Sequence, residues 1–343
     1  MDLADFDYDL PPDAIAQHPA EPRDAARLLV DGPAGVEHRT VADLADLVRP
    51  GDVMVVNTTR VLPARLRLRK PTGGEVEVLL LERTPVGTWE ALVRPSRRVA
   101  PGTVLAAGAD LAVHVGGPGP GDGTREVELR VAGGGERAEL DALDRHGAVP
   151  LPPYITAPLD DPERYQTVFA DHPGSVAAPT AGLHLTPAVL DRCRDAGATV
   201  VPVELVVGMG TFRPMAAPKV EDHHMHAERY VVPPATLDAC RAARAGGRRV
   251  VAVGTTSVRA LESAALSGEL SGRTELFIHR PWRWRLVDVL MTNFHLPRSS
   301  LLVLVDAFVG DRWRDLYGEA LGGGYRFLSF GDAMWLTRRA EAA

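Results

Sequence analysis

The feature that most limits the fold of this chain is a stretch of closely spaced short strands. From residue 66 to residue 149, runs of alternating apolar residues are separated by glycine-rich turns, as in GGEVEVLLLE and REVELRVAGGG. Short strands at such regular spacing, without a helical period, are typical of a small β-barrel or sandwich. We therefore predict a small inserted β-domain at 66–149.

On both sides of this stretch, strand patterns alternate with helix patterns. Helices are predicted at 187–196, 235–245, 257–266, 299–309 and 312–321, and strands at 53–56, 198–207, 249–253, 275–278, 286–293 and 325–330. This alternation is typical of α/β architecture. The predicted fold class is α/β, with a main α/β domain at 1–65 and 150–343 interrupted by a small β-barrel domain at 66–149.

Composition excludes several classes of protein. The chain has 343 residues, more than one domain usually contains, and no apolar run approaches the roughly 20 residues of a membrane span. Its first five residues include two aspartates and no basic residue, unlike a secretory signal. We expect a cytoplasmic protein without membrane contact, whose two cysteines, Cys193 and Cys240, are reduced and buried.

The loop at 174–186, GSVAAPTAGLHLT, combines small residues with three hydroxyls and a histidine. Its glycines and alanines leave backbone amides accessible, and the helix predicted after it directs its positive end toward the loop. An anionic or polar ligand group would be stabilised there. A tight structural turn is an equally good interpretation of these residues alone.

A second candidate is the run VVAVGTTSVRALES, which contains a buried strand, a hydroxyl-rich turn and a helix start. Gly254 permits the tight turn, and Thr255, Thr256 and Ser257 offer hydroxyls beside free amides. The run is neither a Walker loop nor a dinucleotide fingerprint. It is either a ligand-binding turn or a plain helix cap.

Two more segments end predicted strands, namely NFHLP and GMGTFRP. Strand ends of an α/β sheet meet at one edge, where ligands bind. We therefore predict one cavity whose lining includes residues from all four segments: Thr180, His184, Thr211, Arg213, Thr255, Ser257, Arg259 and His295.

The run EDHHMHAE packs three histidines and three carboxylates into eight positions before a predicted strand. If that strand starts early, His224, His226 and Glu228 share one face and could bind a metal ion. A histidine–carboxylate pair for proton transfer explains the mixture more simply, because no matching ligand cluster occurs elsewhere. We predict no metal site.

Arginines gather near the predicted barrel, although the net charge of the chain is -7. Any nucleic-acid contact must therefore be local. Seven arginines lie at 65–98, and the run RPWRWR at 280–285 adds three more beside two tryptophans. They are either scattered surface residues or a set of phosphate contacts.

Eight segments occur in an order that resembles the S-adenosylmethionine:tRNA ribosyltransferase-isomerase family: PLPPYI, ERYQTVFA, GSVAAPTAGLH, GMGTFRP, MHAERY, VGTTSVRALES, NFHLP and YRFLSFGDAM. The resemblance covers about 6–336. It implies an α/β domain interrupted by a β-barrel. It also implies transfer of the ribosyl part of S-adenosylmethionine to the aminomethyl group of a 7-deazaguanine at the tRNA wobble position. Adenine and methionine leave, and the product is epoxyqueuosine-tRNA.

The resemblance implies S-adenosylmethionine as co-substrate, tRNA as partner and no metal or other cofactor; we expect a monomer. A base removes a proton beside the sulfonium, and a histidine with a near-neutral pKa suits that step. The catalytic candidates are His184, His226, Glu228 and His295. The substrate-binding candidates are Ala178, Thr180, Gly182, Gly210, Thr211, Arg213, Thr255, Thr256, Ser257, Arg259 and Asn293. The nucleic-acid-binding candidates are Arg65, Arg67, Arg94, Arg97, Arg98, Arg283 and Arg285.

Four places depart from the family pattern, namely Thr58, Leu185, Val206 and the run at 280–285. They keep open a paralogue that uses S-adenosylmethionine on a free small-molecule acceptor. A third interpretation is an RNA-binding module without catalysis, in which Trp282 and Trp284 stack on bases.

Overall fold

The computed structural model describes residues 1–32, 35–121, 123–208, 215 and 217–339. The strands among them are β1 (Arg27–Gly32), β2 (Gly35–Thr40), β3 (Val53–Asn57), β4 (Thr59–Val61), β5 (Arg65–Arg69), β6 (Glu75–Arg83), β7 (Trp89–Arg94), β8 (Val104–Ala107), β9 (Leu111–Pro118), β10 (Arg125–Val131), β11 (Gly147–Ala148), β12 (His172–Ser175), β13 (Thr199–Leu205), β14 (Glu228–Val231), β15 (Val250–Val253), β16 (Ser271–Thr274), β17 (Val289–Asn293) and β18 (Ala333–Thr337).

The α-helices of the described residues are α1 (Gly135–His146), α2 (Pro187–Asp195), α3 (Pro234–Ala245), α4 (Thr255–Ser267), α5 (Ser300–Val309) and α6 (Arg312–Gly322). Short 3₁₀ helices occupy Leu3–Phe6, Pro12–Ala14, Arg23–Ala25, Val41–Asp46, Ser96–Arg98, Pro162–Tyr165, Thr180–His184 and Val220–Asp222. Each helix described is too short or too polar to cross a bilayer.

The main sheet joins nine of the described strands in the order β16-β14-β13-β3-β15-β17-β18-β1-β2. Its central strands β13, β3, β15 and β17 are parallel. Every residue of β3, β15 and β17 is buried, as expected for strands covered on both faces. This sheet is the α/β part of the predicted fold.

A second sheet closes on itself. Among the described residues, β5, β6, β7, β10, β9 and β8 pair in that order, and β8 pairs back to β5 through Ala106 and Arg69. The short strand β11 adds to β5. Alternate residues of β5 and β6, such as Leu66, Leu68 and Val78, are buried inside. The predicted fold class, α/β with an inserted small β-barrel, is confirmed.

The chain divides into two compact units. One comprises 60–151 and 173–177, and the other comprises the rest of the described residues. The boundaries predicted from the sequence, 66–149, fall within the first unit, and it remains our proposal that the units are separate domains. The all-β pattern predicted for 66–149 missed α1, because that helix buries only Glu139, Ala142 and Leu143.

The strand predicted at 275–278 is wrong, since the preceding residues form β16 and the chain then leaves the sheet. Leu276 N donates to Thr274 Oγ1 at 3.1 Å, and Leu276 O accepts from Arg259 Nε at 3.1 Å. Side chains therefore take the main-chain groups that a neighbouring strand would use.

The strand predicted at 325–330 is also wrong. Leu328 has a φ of 69°, a left-handed conformation that does not occur within a strand. The Asp332 carboxylate accepts from Arg326 N at 2.8 Å and closes the turn. The last strand, β18, therefore begins only at Ala333.

The four parallel strands end at the same edge of the main sheet. Gly254 follows β15 with a φ of 86°, a conformation that side chains rarely adopt, and so lets the chain turn directly into α4. At this edge β17 ends at Asn293. The ends of β15 and β17, which the sequence predicted to meet, therefore do meet, whereas all of the segment GMGTFRP except Gly208 lies outside the described residues.

Helix α2 covers one face of this sheet. It begins after Thr186, whose Oγ1 accepts from Val189 N at 3.2 Å, as the predicted cap should. Leu190 and Cys193 join the core with residues of β1, β3, β15 and β17. Cys193 and Cys240 are both free and buried, as predicted.

Gly147 provides a test of the barrel. A Cβ atom there would lie 1.8 Å from Pro63 O and 2.7 Å from Leu143 O. Gly147→Ala must displace backbone, so we expect it to lower the free energy of unfolding by about 1–3 kcal/mol or more in urea denaturation.

Gly117→Ala is the matched control in the same unit. No atom lies within 4 Å of its added Cβ, so we expect a change within about 0.5 kcal/mol. Equal stability of the two variants would contradict the close approach at Gly147.

Candidate active site

A cavity opens at the carboxyl edge of the parallel strands. It encloses about 630 Å³, including space open to solvent. The segment around Thr180, the start of α4 and the end of β17 form its walls. The lining residues are Tyr154, Ala178, Pro179, Thr180, Ala181, Val207, Gly254, Thr255, Thr256, Thr292, Asn293, Phe294, His295, Leu296, Ser299, Leu301, Leu328 and Ser329.

None of the described lining side chains carries a permanent charge. Helix α4 begins at the wall, where its dipole is positive. Among the described residues, the buried Oγ1 of Thr256 has no hydrogen-bond partner. Because buried polar atoms are normally satisfied, this hydroxyl and the helix end suit a polar or anionic ligand group.

A hydrogen-bond network connects the 174–186 loop to the end of β17. Thr180 Oγ1 donates to Asn293 Oδ1 at 2.9 Å, and Asn293 Nδ2 donates to His184 Nε2 at 3.0 Å. Thr180 and His184 lie at the two ends of one 3₁₀ helix. Two residues of the loop therefore position one strand-end amide, which itself lines the cavity.

His184 does not line the cavity, contrary to the prediction. It is only 4% exposed and is bonded to Asn293. Burial, together with the positive charges of Arg326 and Arg23, lowers the pKa of His184 to about 4. The ring is therefore neutral at physiological pH.

His295 does line the cavity. Its Nε2 lies 3.0 Å from Thr292 Oγ1, and its main-chain N donates to Tyr317 Oη at 3.0 Å. Burial lowers the pKa of His295 to about 3. The near-neutral pKa expected of a catalytic histidine is wrong for both His184 and His295, because neither imidazolium would be solvated.

Arg259 also lies outside the cavity lining, contrary to the prediction. Its Nη1 donates to Glu228 Oε2, and its Nε and Nη2 donate to the carbonyl oxygens of Leu276 and Thr274. Arg259 and Glu228 are both buried, and Glu228 Oε1 accepts from Gly208 N at 3.1 Å. The pair holds the chain just after Val207 and leaves no free cation for a ligand.

Ser257 and Gly182 have packing roles instead of contacting the cavity. Ser257 Oγ donates to Val253 O at 2.8 Å. A Cβ on Gly182 would lie 2.7 Å from the Phe169 ring and 2.9 Å from Thr167 Cγ2. The prediction that Ser257 lines the cavity is wrong. Gly182, a candidate for substrate binding, is not among the described lining residues either.

His226 is exposed in an irregular segment. Because β14 begins only at Glu228, His224, His226 and Glu228 do not share a strand face. In the described ranges, no three histidine, cysteine or carboxylate side chains lie close enough to hold a metal ion.

The structure brings six predicted site residues together in the cavity lining. They are Ala178, Thr180, Thr255, Thr256, Asn293 and His295. Three further candidates, Gly210, Thr211 and Arg213, lie outside the described residues.

The arginines predicted to bind nucleic acid in the 60–151 unit are mostly exposed. Arg67 and Arg94 flank Glu77 in register across β5, β6 and β7, and both side chains point outward. Arg97 and Arg98 are exposed in the short 3₁₀ helix after β7. Arg65 is half-buried.

The run at 280–285 does not present two tryptophans for base stacking. Trp284 is 6% exposed, and its Nε1 donates to Ala307 O at 3.1 Å. Trp282 packs against Arg285, whose guanidinium lies 5.3 Å from the ring centre, and Arg283 is exposed. The stacking pair assumed for a non-catalytic RNA-binding module is therefore absent.

Sequence patterns missed several lining residues, notably Tyr154 and Ser329. Their hydroxyls lie 2.7 Å apart. Neither residue lies at the end of a parallel strand, so the pattern of strands and strand ends could not predict that they line the cavity. Their segments, PLPPYI and YRFLSFGDAM, were nevertheless among those that carried the resemblance.

Comparison with known proteins identifies the family. The model of the family described as "Queuosine biosynthesis protein" matches residues 3–336. The chain belongs to the queuosine biosynthesis protein family. The resemblance inferred from the sequence is therefore confirmed.

Two curated relatives are named S-adenosylmethionine:tRNA ribosyltransferase-isomerase. The protein of Synechococcus elongatus is 50% identical, with 98% of this chain and 96% of the relative covered. The protein of Thermus thermophilus is also 50% identical, with 97% and 98% covered. The crystal structure of S-adenosylmethionine tRNA ribosyltransferase from Thermotoga maritima is 38% identical, with a TM-score of 0.54, and covers 96% of this chain and 99% of that chain.

Two departures of this family member from the expected pattern lie outside the cavity lining. Thr58 is buried, and its Oγ1 bonds Val203 O at 3.2 Å and lies 3.4 Å from His172 Nδ1. Val206 precedes the lining residue Val207 but is not part of the lining. Neither residue therefore contributes a side chain to the described lining.

The lowered pKa of His184 predicts how stability depends on pH. Between an unfolded value of 6.5 and a folded value of about 4, the unfolded chain binds a proton that the folded chain excludes. The stability that a neutral His184 contributes to the folded state is fully present above pH 6.5. It is lost as the pH falls toward 4, and the loss in free energy of unfolding is roughly 2 kcal/mol at pH 5. The free energy of unfolding of wild type minus that of His184→Gln should therefore decrease by about that amount between pH 7 and pH 5.

The measurement is urea unfolding at each pH. Other acid-sensitive groups are shared by both proteins and cancel in the difference. The control is His224→Gln, which removes an exposed imidazole instead of a buried one. A difference between wild type and His184→Gln that is constant with pH would contradict the burial of a neutral His184.

Proposed function

We infer that this chain is an S-adenosylmethionine-dependent ribosyltransferase-isomerase that modifies tRNA in queuosine biosynthesis. The observation that carries the inference is 50% identity to enzymes of that name over nearly the whole of both chains. We further propose that the acceptor is 7-aminomethyl-7-deazaguanine at the wobble position. The product is then epoxyqueuosine-tRNA, and adenine and methionine leave.

We propose that S-adenosylmethionine occupies the cavity with its methionine carboxylate at the amino end of α4. Thr255 and Thr256 stand there, and the helix dipole stabilises an anion by about 0.3–1 kcal/mol. No described lining side chain is cationic, so the sulfonium meets no like charge. The cavity thus suits a ligand that brings both of its own charges.

His295 is the catalytic candidate that lines the cavity together with the substrate-binding candidates, and we propose that its ring meets the reacting sugar. Its Nε2 is engaged by Thr292, which leaves Nδ1 for the substrate. The pKa of about 3 makes this imidazole a weak base, yet keeps it unprotonated at neutral pH, as a proton acceptor must be. The sulfonium acidifies the neighbouring C–H, which reduces the basicity required.

For the tRNA acceptor we propose contacts from the barrel arginines, defined as Arg65, Arg67, Arg94, Arg97 and Arg98, and from Arg283 and Arg285. On a chain of net charge -7, attraction to RNA must come from such local groups. Phosphate contacts act within about 10 Å at 0.1 M salt.

We also propose that the enzyme works as a monomer in the cytoplasm and needs no metal or second cofactor. The groups for the reaction are then S-adenosylmethionine itself, the amine of the acceptor base and the polar lining of the cavity. Acceptance of a free small molecule instead of tRNA is an outcome that the next experiment distinguishes.

Adenine release tests the proposed reaction. The full chain should release adenine from S-adenosylmethionine only with tRNA that bears the aminomethyl base, and His295→Gln should lower kcat by roughly 10²-fold or more. The exposed His224→Gln is the control. Release with the free base alone would favour the small-molecule acceptor, and RNA binding without any release would favour a non-catalytic module.

Salt dependence tests the proposed binding of tRNA by arginines. In Arg97→Ala/Arg98→Ala, tRNA affinity should fall, and the plot of log affinity against log salt should become shallower by about 0.7 for each phosphate that is no longer neutralised. The measurement is a Kd series across a salt range of about 0.05 to 0.2 M.

The matched control removes two exposed arginines elsewhere in the same unit. Arg130→Ala/Arg137→Ala removes the same charge, so an effect of net charge alone would be equal in both double variants. Equal slopes for the two would refute phosphate binding by Arg97 and Arg98. Adenine release with a free small-molecule acceptor should be the same in Arg97→Ala/Arg98→Ala as in wild type.

A further inference from the structure

We propose that His184 is a positioning residue that sets the direction of the hydrogen bonds at the cavity wall, so that Thr180 presents an acceptor and no donor to the ligand. The identity of that ligand as S-adenosylmethionine rests on the proposed function. The direction of the hydrogen bonds does not.

The main-chain oxygen of Asp332 shows which way the Asn293 amide is oriented. Asn293 Nδ2 lies 3.4 Å from Asp332 O as well as 3.0 Å from His184 Nε2. A backbone carbonyl can only accept a hydrogen bond, so the nitrogen side of the amide must face it. The opposite orientation would place two oxygens together without a proton between them.

His184 must then accept through Nε2 and carry its proton on Nδ1. The charged groups nearest its ring are Arg326 and Arg23, both positive, and they oppose a second proton. The carboxylate of Asp332 is engaged by the main-chain amides of Arg27 and Arg326. The neutral form with Nδ1 protonated therefore persists at physiological pH.

The orientation of the Asn293 amide also fixes the direction of the hydrogen bond from Thr180. Its hydroxyl has one proton, which it donates to Asn293 Oδ1 at 2.9 Å. Only lone pairs of Thr180 Oγ1 remain for the cavity that this residue lines. Its ligand partner must therefore be an N–H or O–H donor. S-adenosylmethionine has such donors in its ammonium group, its two ribose hydroxyls and its adenine amino group.

A purely packing residue at position 184 would not have this effect. Without an acceptor at position 184, Asn293 Nδ2 would keep only the longer contact to Asp332 O. The side-chain amide could then flip by about 180°. Thr180 would then accept from Nδ2 and direct its own proton into the cavity. An acceptor at 184 thus controls the polarity of a hydroxyl that His184 itself does not touch.

The first experiment measures S-adenosylmethionine binding and steady-state kinetics on the full chain. Thr180→Val, which keeps the shape, should raise Kd about tenfold with little change in kcat, and Thr180→Ser should restore the affinity. His184→Leu should raise KM about fivefold, whereas His184→Gln, whose Oε1 can accept from Asn293, should recover most of it. Equal losses in His184→Leu and His184→Gln would overturn the positioning role.

The second experiment identifies the donor. Analogues of S-adenosylmethionine that each lack the ammonium, one ribose hydroxyl or the adenine amino group are bound to wild type and to Thr180→Val. For one analogue, the binding free energy lost through the missing group and that lost through Thr180→Val should not add, because both changes remove the same hydrogen bond. Strict additivity for all of them would overturn the acceptor role of Thr180.

The third experiment needs no activity. In ¹⁵N spectra of histidine-labelled protein, His184 Nε2 should be unprotonated and Nδ1 protonated. In Asn293→Asp, which cannot donate, the proton should move to Nε2. A protonated Nε2 in wild type would overturn the proposal even if S-adenosylmethionine binds. The expected spectrum without any binding would instead overturn the proposed function, so the two failures are distinguishable.

Discussion

Burial of the central parallel strands on both faces is the constraint on which the rest of this structure depends. Along β3, β15 and β17 every side chain is removed from water, so a polar group there is tolerated only if it is hydrogen-bonded. Polar residues therefore collect where strands stop, as Asn293 and the Thr255–Thr256 pair do. The cavity is the space left where these ends face one another.

The same absence of water decides the charge state of the groups around the cavity. An isolated buried ion costs several kcal/mol, so it must be paired or neutral. Glu228 and Arg259 satisfy this requirement as a pair, whereas His184 and His295 satisfy it by remaining neutral. A wall of dipoles instead of ions suits a ligand that carries charges of both signs, because neither charge is repelled.

The barrel is shaped by a different constraint, which is the need to pair the edge strands of a small sheet. Closure of β8 onto β5 removes the free edges that a small antiparallel sheet would expose. Its interior is filled by alternate apolar residues such as Leu66 and Val78, which leaves the outward positions free to carry charge. The exposed arginines Arg67 and Arg94 use those positions, and in our proposal they face RNA.

The sequence by itself determined the fold class, the positions of α2, α3, α5 and α6 and the strand ends that form the cavity. These depend on periodicity, capping residues and turns, which are local properties of the chain. Only the tertiary structure decided which candidates meet. His184 and Asn293 are bonded across 109 residues, and Arg259 lies beside Glu228 rather than a ligand. Such pairings, and the desolvation that keeps both histidines neutral, depend on distances between remote segments, which no local pattern contains.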